Sequence, residues 1–341
     1  MEERNFIVLG LDFSTIPLVA EICSRYLKNI LVIDQSIEPG LYTGTYLSGG
    51  FSVEKIYVFF DRSSGDILRE LGADVKCLKP KIREAKPGDL FYKASCWMRN
   101  LEVWWLPKDL SEICFVENGV GRFVREKILG GCAEYTFYTP RKIDAERRIM
   151  VLRNGRIIKY KKIFASYPLT KLLEVVRGIR IDEEISRSIS LLRWVGVISI
   201  NFGVRGVEPE WDMVSHATRA SRTHLFIIAS RIYRGSAPEG FYTLNLQMSF
   251  CDRNPPPPDA ISRGAAEARW AKLLESRESI VLERESVISH MIPYGLREED
   301  VKIVREILSE NNIHILGIRG LGKSAGVYEQ LNMSKDLISS I

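Results

Sequence analysis

Glutamine is nearly missing from this chain: Gln35, Gln247 and Gln330 are the only three in 341 residues, while isoleucine, arginine and glutamate are plentiful. Depleted thermolabile amides beside abundant charge are a thermophile's bias. Cysteine motifs are missing too. Cys23, Cys77, Cys96, Cys114, Cys132 and Cys251 form no C-x-x-C pair and no metal-ligand spacing. Zinc is therefore not expected, and reduced intracellular thiols are. His216, His224, His290 and His314 are scattered, so each is expected to be structural rather than a ligand. No apolar stretch reaches the ~20 residues of a membrane span. No long basic tract occurs either: 48 basic residues are interspersed with 43 acidic ones, and the densest cluster, Arg141 to Arg148, already contains two acids. Nucleic acid is not an expected partner. The N-terminus runs straight into a strand without a signal-peptide arrangement, so a cytoplasmic location is expected. No catalytic triad or carboxylate dyad stands out.

What is present is a globular composition, 45% hydrophobic and 27% charged, in a chain long enough for two domains or one elaborated α/β unit. It opens with the apolar strand Phe6 to Gly10, an amphipathic helix over 14–28, and a second strand from Leu31 that ends in an acid. That is the βαβ unit used to hold a dinucleotide. Asp34 lies 34 − 10 = 24 residues after Gly10, close to where an acid grips ribose hydroxyls. The phosphate loop departs from G-x-G-x-x-G. It reads Gly10-Leu11-Asp12-Phe13-Ser14-Thr15, so only the first glycine remains. Asp12 puts a negative charge where a bare backbone should meet a pyrophosphate, or it caps the helix that follows.

Further along, Trp97, Trp104 and Trp105 fall in a stretch that reads as strand-rich and ends near Pro107. Asn118 to Gly131 reads as a glycine-led helix. A hairpin is expected around Asn154-Gly155, sheet strands over 191–204 and 240–250, and a helix from Ala260 to Glu275. The end returns to α/β: a helix from Glu298 to Glu310, a strand, a glycine-rich turn and a last helix near Ser334.

The order of these pieces resembles the flavoprotein superfamily of protoporphyrinogen oxidase, amine oxidase and UDP-galactopyranose mutase, over nearly the whole chain. The segments that carry it are VLGLDFS with LVIDQS and EPG, then NGVGRFVREKI, the hairpin and crossover RKIDAERRIMVLRNGRIIKYKKIFASYPLTKLL, and ILGIRGLGKSAGVYEQLNMSKDLI at the end. The resemblance implies an α/β fold. A Rossmann-like FAD/NAD(P)-binding domain would be built from 1–45, 115–180 and 300–341, with an inserted α+β substrate domain over 46–114 and 181–299.

It also implies FAD as cofactor, held by Gly10, Asp34, Gly40, Gly317, Arg319, Gly320, Gly322, Asn332 and Met333. Arg219, Arg222 and Arg231 fall where mutase relatives place diphosphate-binding arginines, with surface charge as the alternative. Against this stand Asp12, Thr15, the loss of one glycine at Gly40-Leu41, and Pro140, which has no N–H where relatives recognise adenine. A carboxylate about 4 Å from a phosphate costs roughly 4 kcal/mol at an effective dielectric near 20. FAD is therefore expected to bind weakly or not at all. Two functions follow. One is a FAD-linked oxidoreductase or mutase-like flavoprotein acting on a small anionic or nucleotide-linked ligand. The other is a cofactor-free binding module with a protein or ligand partner, the course taken by GDP-dissociation-inhibitor proteins.

Overall fold

The computed structural model describes residues 1–26, 29–35, 44–83, 87–216, 218 and 220–338. Gly40 and Arg219 lie outside the described residues. The opening strand, Glu2–Leu9, is buried on both faces from Phe6 onward, which suits the centre of a parallel sheet. It pairs in parallel with Ile30–Ile33 on one side and with Ile157–Ala165 on the other, Ile7 standing level with Leu31 and Ile163. Glu134–Thr136 extends the sheet beyond Ile30–Ile33. The late strand Ile313–Ile315 lies along Ile163–Ala165, so the end of the chain returns to the sheet that begins it. Ile149–Leu152 closes the expected hairpin onto Ile157, with Gly155 at a φ of +86° in its turn. Among the described residues the sheet has eight strands.

The helix between the first two strands runs Ile16–Arg25, with proline in its first turn, where a missing N–H costs nothing. It starts two residues later than expected, because Thr15 N–H and Ile16 N–H both turn back to Asp12 O and tighten the preceding loop.

A second, six-stranded sheet holds the long strands Arg193–Arg205, Phe241–Phe250 and Ile280–Tyr294, with Leu225–Ile228, Met213–Ser215 and Ile82–Arg83 beyond them. The helix Ala260–Trp270 covers one face of it, where Gly264 lies against Ile200 and Leu246. One apolar core joins the two sheets, running from Phe6, Val8 and Phe13 to Val195, Leu225 and Met291. No helix among the described residues is long and apolar enough to cross a membrane.

Two expectations are corrected. The cysteines are not free thiols: Cys23 pairs with Cys132, Cys77 with Cys114 and Cys96 with Cys251. Only Cys77 and Cys114 lie on paired strands; partners 109, 37 and 155 residues apart in sequence are brought together by tertiary packing, which no local spacing reports. The stretch around Trp97, Trp104 and Trp105 contains no strand. Its aromatic residues anchor an irregular segment to the core, and Trp105 O accepts the N–H of Phe59 in place of a ladder bond.

Candidate functional site

The opening strand ends at Gly10, whose φ of +85° suits a residue without a side chain. A Cβ there would overlap Ser166 O and come within 2.9 Å of Arg319 Nη2. Gly317, also left-handed, begins the short helix Gly317–Leu321, and a Cβ on it would collide with the hydroxyls of Ser14 and Ser166. Asp12 turns its carboxylate into the hollow between these glycines. Its Oδ1 accepts the Ser14 N–H at 3.0 Å and the Ser14 hydroxyl at 2.5 Å. Its Oδ2 accepts the Ser166 hydroxyl and faces Arg319 Nη2 at 3.4 Å. Asp12, Ser14, Thr15, Ser166 and Arg319 are all 0% exposed. Thr15, at the third fingerprint position, accepts the Asp12 N–H at 2.9 Å and locks the loop from inside.

Asp34 follows the second strand, buried, and accepts the N–H of Gln35 at 2.7 Å. Burial raises its pKa, opposed first by Arg319 and then by the Gln35 N–H and the buried Lys55. Gly320 sits against Ala165 O, and Gly322 ends the helix in the left-handed conformation. The hydrogen bonds of Asn332 and Met333 are local to their own helix end: Asn332 Nδ2 donates to Tyr328 O, and Met333 N–H to Glu329 O and Gln330 O. Pro140 begins a strand opposite Leu152, at a break in the register.

The two described candidate arginines, Arg222 and Arg231, are taken up by partners of their own. Arg231 pairs with Asp212 at 2.8 Å, and Arg222 donates to Pro255 O while its backbone N–H bonds Glu267. His224 is fully buried, with its pKa pushed down to about 3 by burial and then by Lys93.

Sequence reasoning missed Ser166, Lys55 and Glu54. Ser166 follows a crossover strand and reaches the loop because its N–H bonds Leu9 O across the sheet. Glu54 repeats the arrangement of Asp12 at the glycine-led helix, which runs Val120–Phe123 and continues as a π turn over Val124–Ile128. A Cβ on Gly119 would overlap the Glu54 carboxyl, which accepts the Thr45 hydroxyl at 2.6 Å. Burial raises the Glu54 pKa from 4.5 to about 8. Between those values the folded chain keeps a proton that the unfolded chain has released, so this contribution is complete below 4.5 and lost as pH rises through 8. The unfolding free energy is expected to fall across that window by an amount on the order of a few kcal/mol, read from denaturant titrations at each pH. Glu54→Gln should flatten the slope, and an unchanged slope in that variant would assign it to other groups.

The space between the two sheets is filled by side chains. Phe13, from the phosphate loop, meets Trp104 edge-on with ring centroids 6.2 Å apart. The Trp104 indole N–H donates to Met291 O at 2.7 Å. Trp105 donates to Gln247 Oε1 at 3.0 Å, and Gln247 Nε2 donates to Tyr57 O. Phe13, Tyr57 and Trp105 are among the largest fully buried side chains of the protein. A cavity of about 540 Å³ opens beside this core, lined by Phe59, Phe60, Trp104, Lys108, Val327 and Tyr328.

No protein-family model matches the sequence, and no curated protein matches it. Solved structures do match in shape. Reduced UDP-galactopyranose mutase aligns over 98% of this chain and 93% of its own, at 14% identity and a TM-score of 0.81. An Exiguobacterium protein assigned as a protoporphyrinogen oxidase aligns over 99% and 98%, at 10% identity and a TM-score of 0.71. Putrescine oxidase bound to putrescine aligns over 99% and 98%, at 11% identity and a TM-score of 0.67. At such identities the likeness is one of fold, and this chain has the fold that those three structures share.

Proposed function

We propose that this chain is a cofactor-free member of the flavoprotein fold, acting as a binding module for a protein or small ligand. The observation that carries the reading is the filled space between the sheets, where Phe13, Tyr57, Trp104 and Trp105 pack as one core. In a flavoenzyme the protein orients substrate against an exposed ring system, which needs an open cleft there. The donor set around Gly10 does not fit a cofactor pyrophosphate as it stands, because a buried carboxylate already holds those donors. No step of flavin chemistry is therefore derived. The same reading takes 1–45, 115–180 and 300–341 as the Rossmann-like unit, and 46–114 and 181–299 as the inserted one. The scarce glutamine and the three disulfides support a thermophilic origin, since hyperthermophiles keep disulfides inside the cell.

The retained Asp34, the C-terminal glycine turn and the likeness of fold favour the second reading, a FAD-linked oxidoreductase or mutase with weak cofactor affinity. Visible absorbance of the purified protein and a calorimetric titration with FAD separate the two. Under the module reading the spectrum has no flavin band, and FAD, NAD(P)H and UDP-sugars give neither heat nor thermal stabilisation. A flavin band, or saturable stabilisation by FAD, would restore the enzyme reading.

A further inference from the structure

The donors around Asp12 come from three separate parts of the chain: the loop after the first strand, the end of the crossover strand, and the C-terminal turn. Ser14 supplies its N–H and hydroxyl, Ser166 its hydroxyl, and Arg319 its guanidinium. All converge on a single pair of oxygens, beside two glycines whose missing side chains let Ser14, Ser166 and Arg319 approach. The hollow lies at a strand-to-helix turn, ahead of the ten-residue helix Ile16–Arg25. This is the place where a dinucleotide fold receives a pyrophosphate, on backbone N–H groups and the positive end of a helix. An ordinary buried ion pair needs neither the glycines nor three converging hydroxyl and N–H donors.

We propose that Ser14, Ser166 and Arg319, with Gly10 and Gly317, form an anion pocket for a diphosphate group, and that Asp12 occupies it as a built-in ligand. The inference rests on the reading that wild-type protein holds no cofactor, and it adds the reason for that at the phosphate loop. Formal charge makes the occupancy exclusive. Asp12 already balances Arg319, the two facing each other at 3.4 Å with neither exposed to solvent. A diphosphate would add at least two negative charges to a balanced set with no water to screen them. Without the Asp12 carboxylate the set carries a positive charge beside an empty hollow.

The test is Asp12→Gly, compared with wild type by thermal shift and calorimetry in inorganic pyrophosphate, in ADP, and in sodium chloride of matched ionic strength. Wild type is expected to respond equally to all three. Asp12→Gly should melt lower in chloride, be stabilised by pyrophosphate and ADP, and bind them at least tenfold more tightly than wild type. Adding Arg319→Met should abolish that gain while leaving a folded, uncharged hollow. If Asp12→Gly does not fold in chloride, its refolding yield with and without pyrophosphate reads the same rescue. A variant that is no better bound, stabilised or refolded by pyrophosphate than by chloride overturns the proposal. That result leaves the cofactor-free reading standing, whereas wild type that itself binds FAD would refute the cofactor-free reading directly.

Discussion

Replacing Trp105 with alanine is expected to destabilise the protein by about 3–5 kcal/mol, the usual cost of removing a large aromatic side chain from a packed core. Trp105 is 0% exposed and sits where the irregular segment meets the second sheet. Its ring packs edge-on against Trp104, with centroids 5.9 Å apart, and lies near His224. Its indole N–H holds Gln247 Oε1, so truncation also strands a buried acceptor. His224 is kept neutral by burial, with a pKa near 3. Water entering the cavity should move that pKa upward, visible as a histidine ring resonance that begins to titrate. Trp105→Phe separates the two contributions: it keeps most of the packing and loses the hydrogen bond, for about 1–3 kcal/mol. Guanidinium denaturation followed by far-UV circular dichroism reads both. A Trp105→Ala protein as stable as wild type would mean that the space between the sheets is not a packed core, and the module reading would lose its main support.

The second large effect is expected at Arg319. It is among the largest fully buried side chains, and it faces Asp12 Oδ2 in a pair where both residues are 0% exposed. Removing one partner of such a pair typically costs about 3–5 kcal/mol, because the other charge is left in a low-dielectric interior. Arg319→Met preserves most of the volume and isolates the charge. The double variant Asp12→Ala with Arg319→Met should recover a large part of the loss, since replacing both partners leaves no orphaned charge. The coupling from the double-mutant cycle is the decisive number. Additive losses would show that Asp12 and Arg319 are not energetically paired.

Much of the fold was legible because its signals are local. The helix Glu298–Glu310 starts and stops where the apolar spacing and its flanks say, and the Asn154-Gly155 turn lies between the strands it was expected to join. Two of the three long strands of the second sheet begin within two residues of their expected starts, and the third, Ile280–Tyr294, had no expected counterpart. The tryptophan stretch misled, because β-favouring aromatics describe a residue that wants burial, and burial can be had without a strand. The disulfides were illegible for a related reason: six cysteines show an even number, but pairing depends on which distant segments become neighbours.

By itself the sequence determined the βαβ start, the glycines that make tight turns, and the two substitutions, Asp12 and Thr15, that distinguish this loop from a phosphate-binding one. Whether that carboxylate caps a helix, repels a ligand or takes the ligand's place could not be read from spacing. The answer depends on Ser166 and Arg319, which lie 154 and 307 residues away from Asp12 along the chain. Only the return of the chain end to the first sheet, and the packing of Phe13 on Trp104, decided that the hollow is filled from within. A charge buried at 0% exposure must find its partner inside the fold, and the fold alone says which one it is.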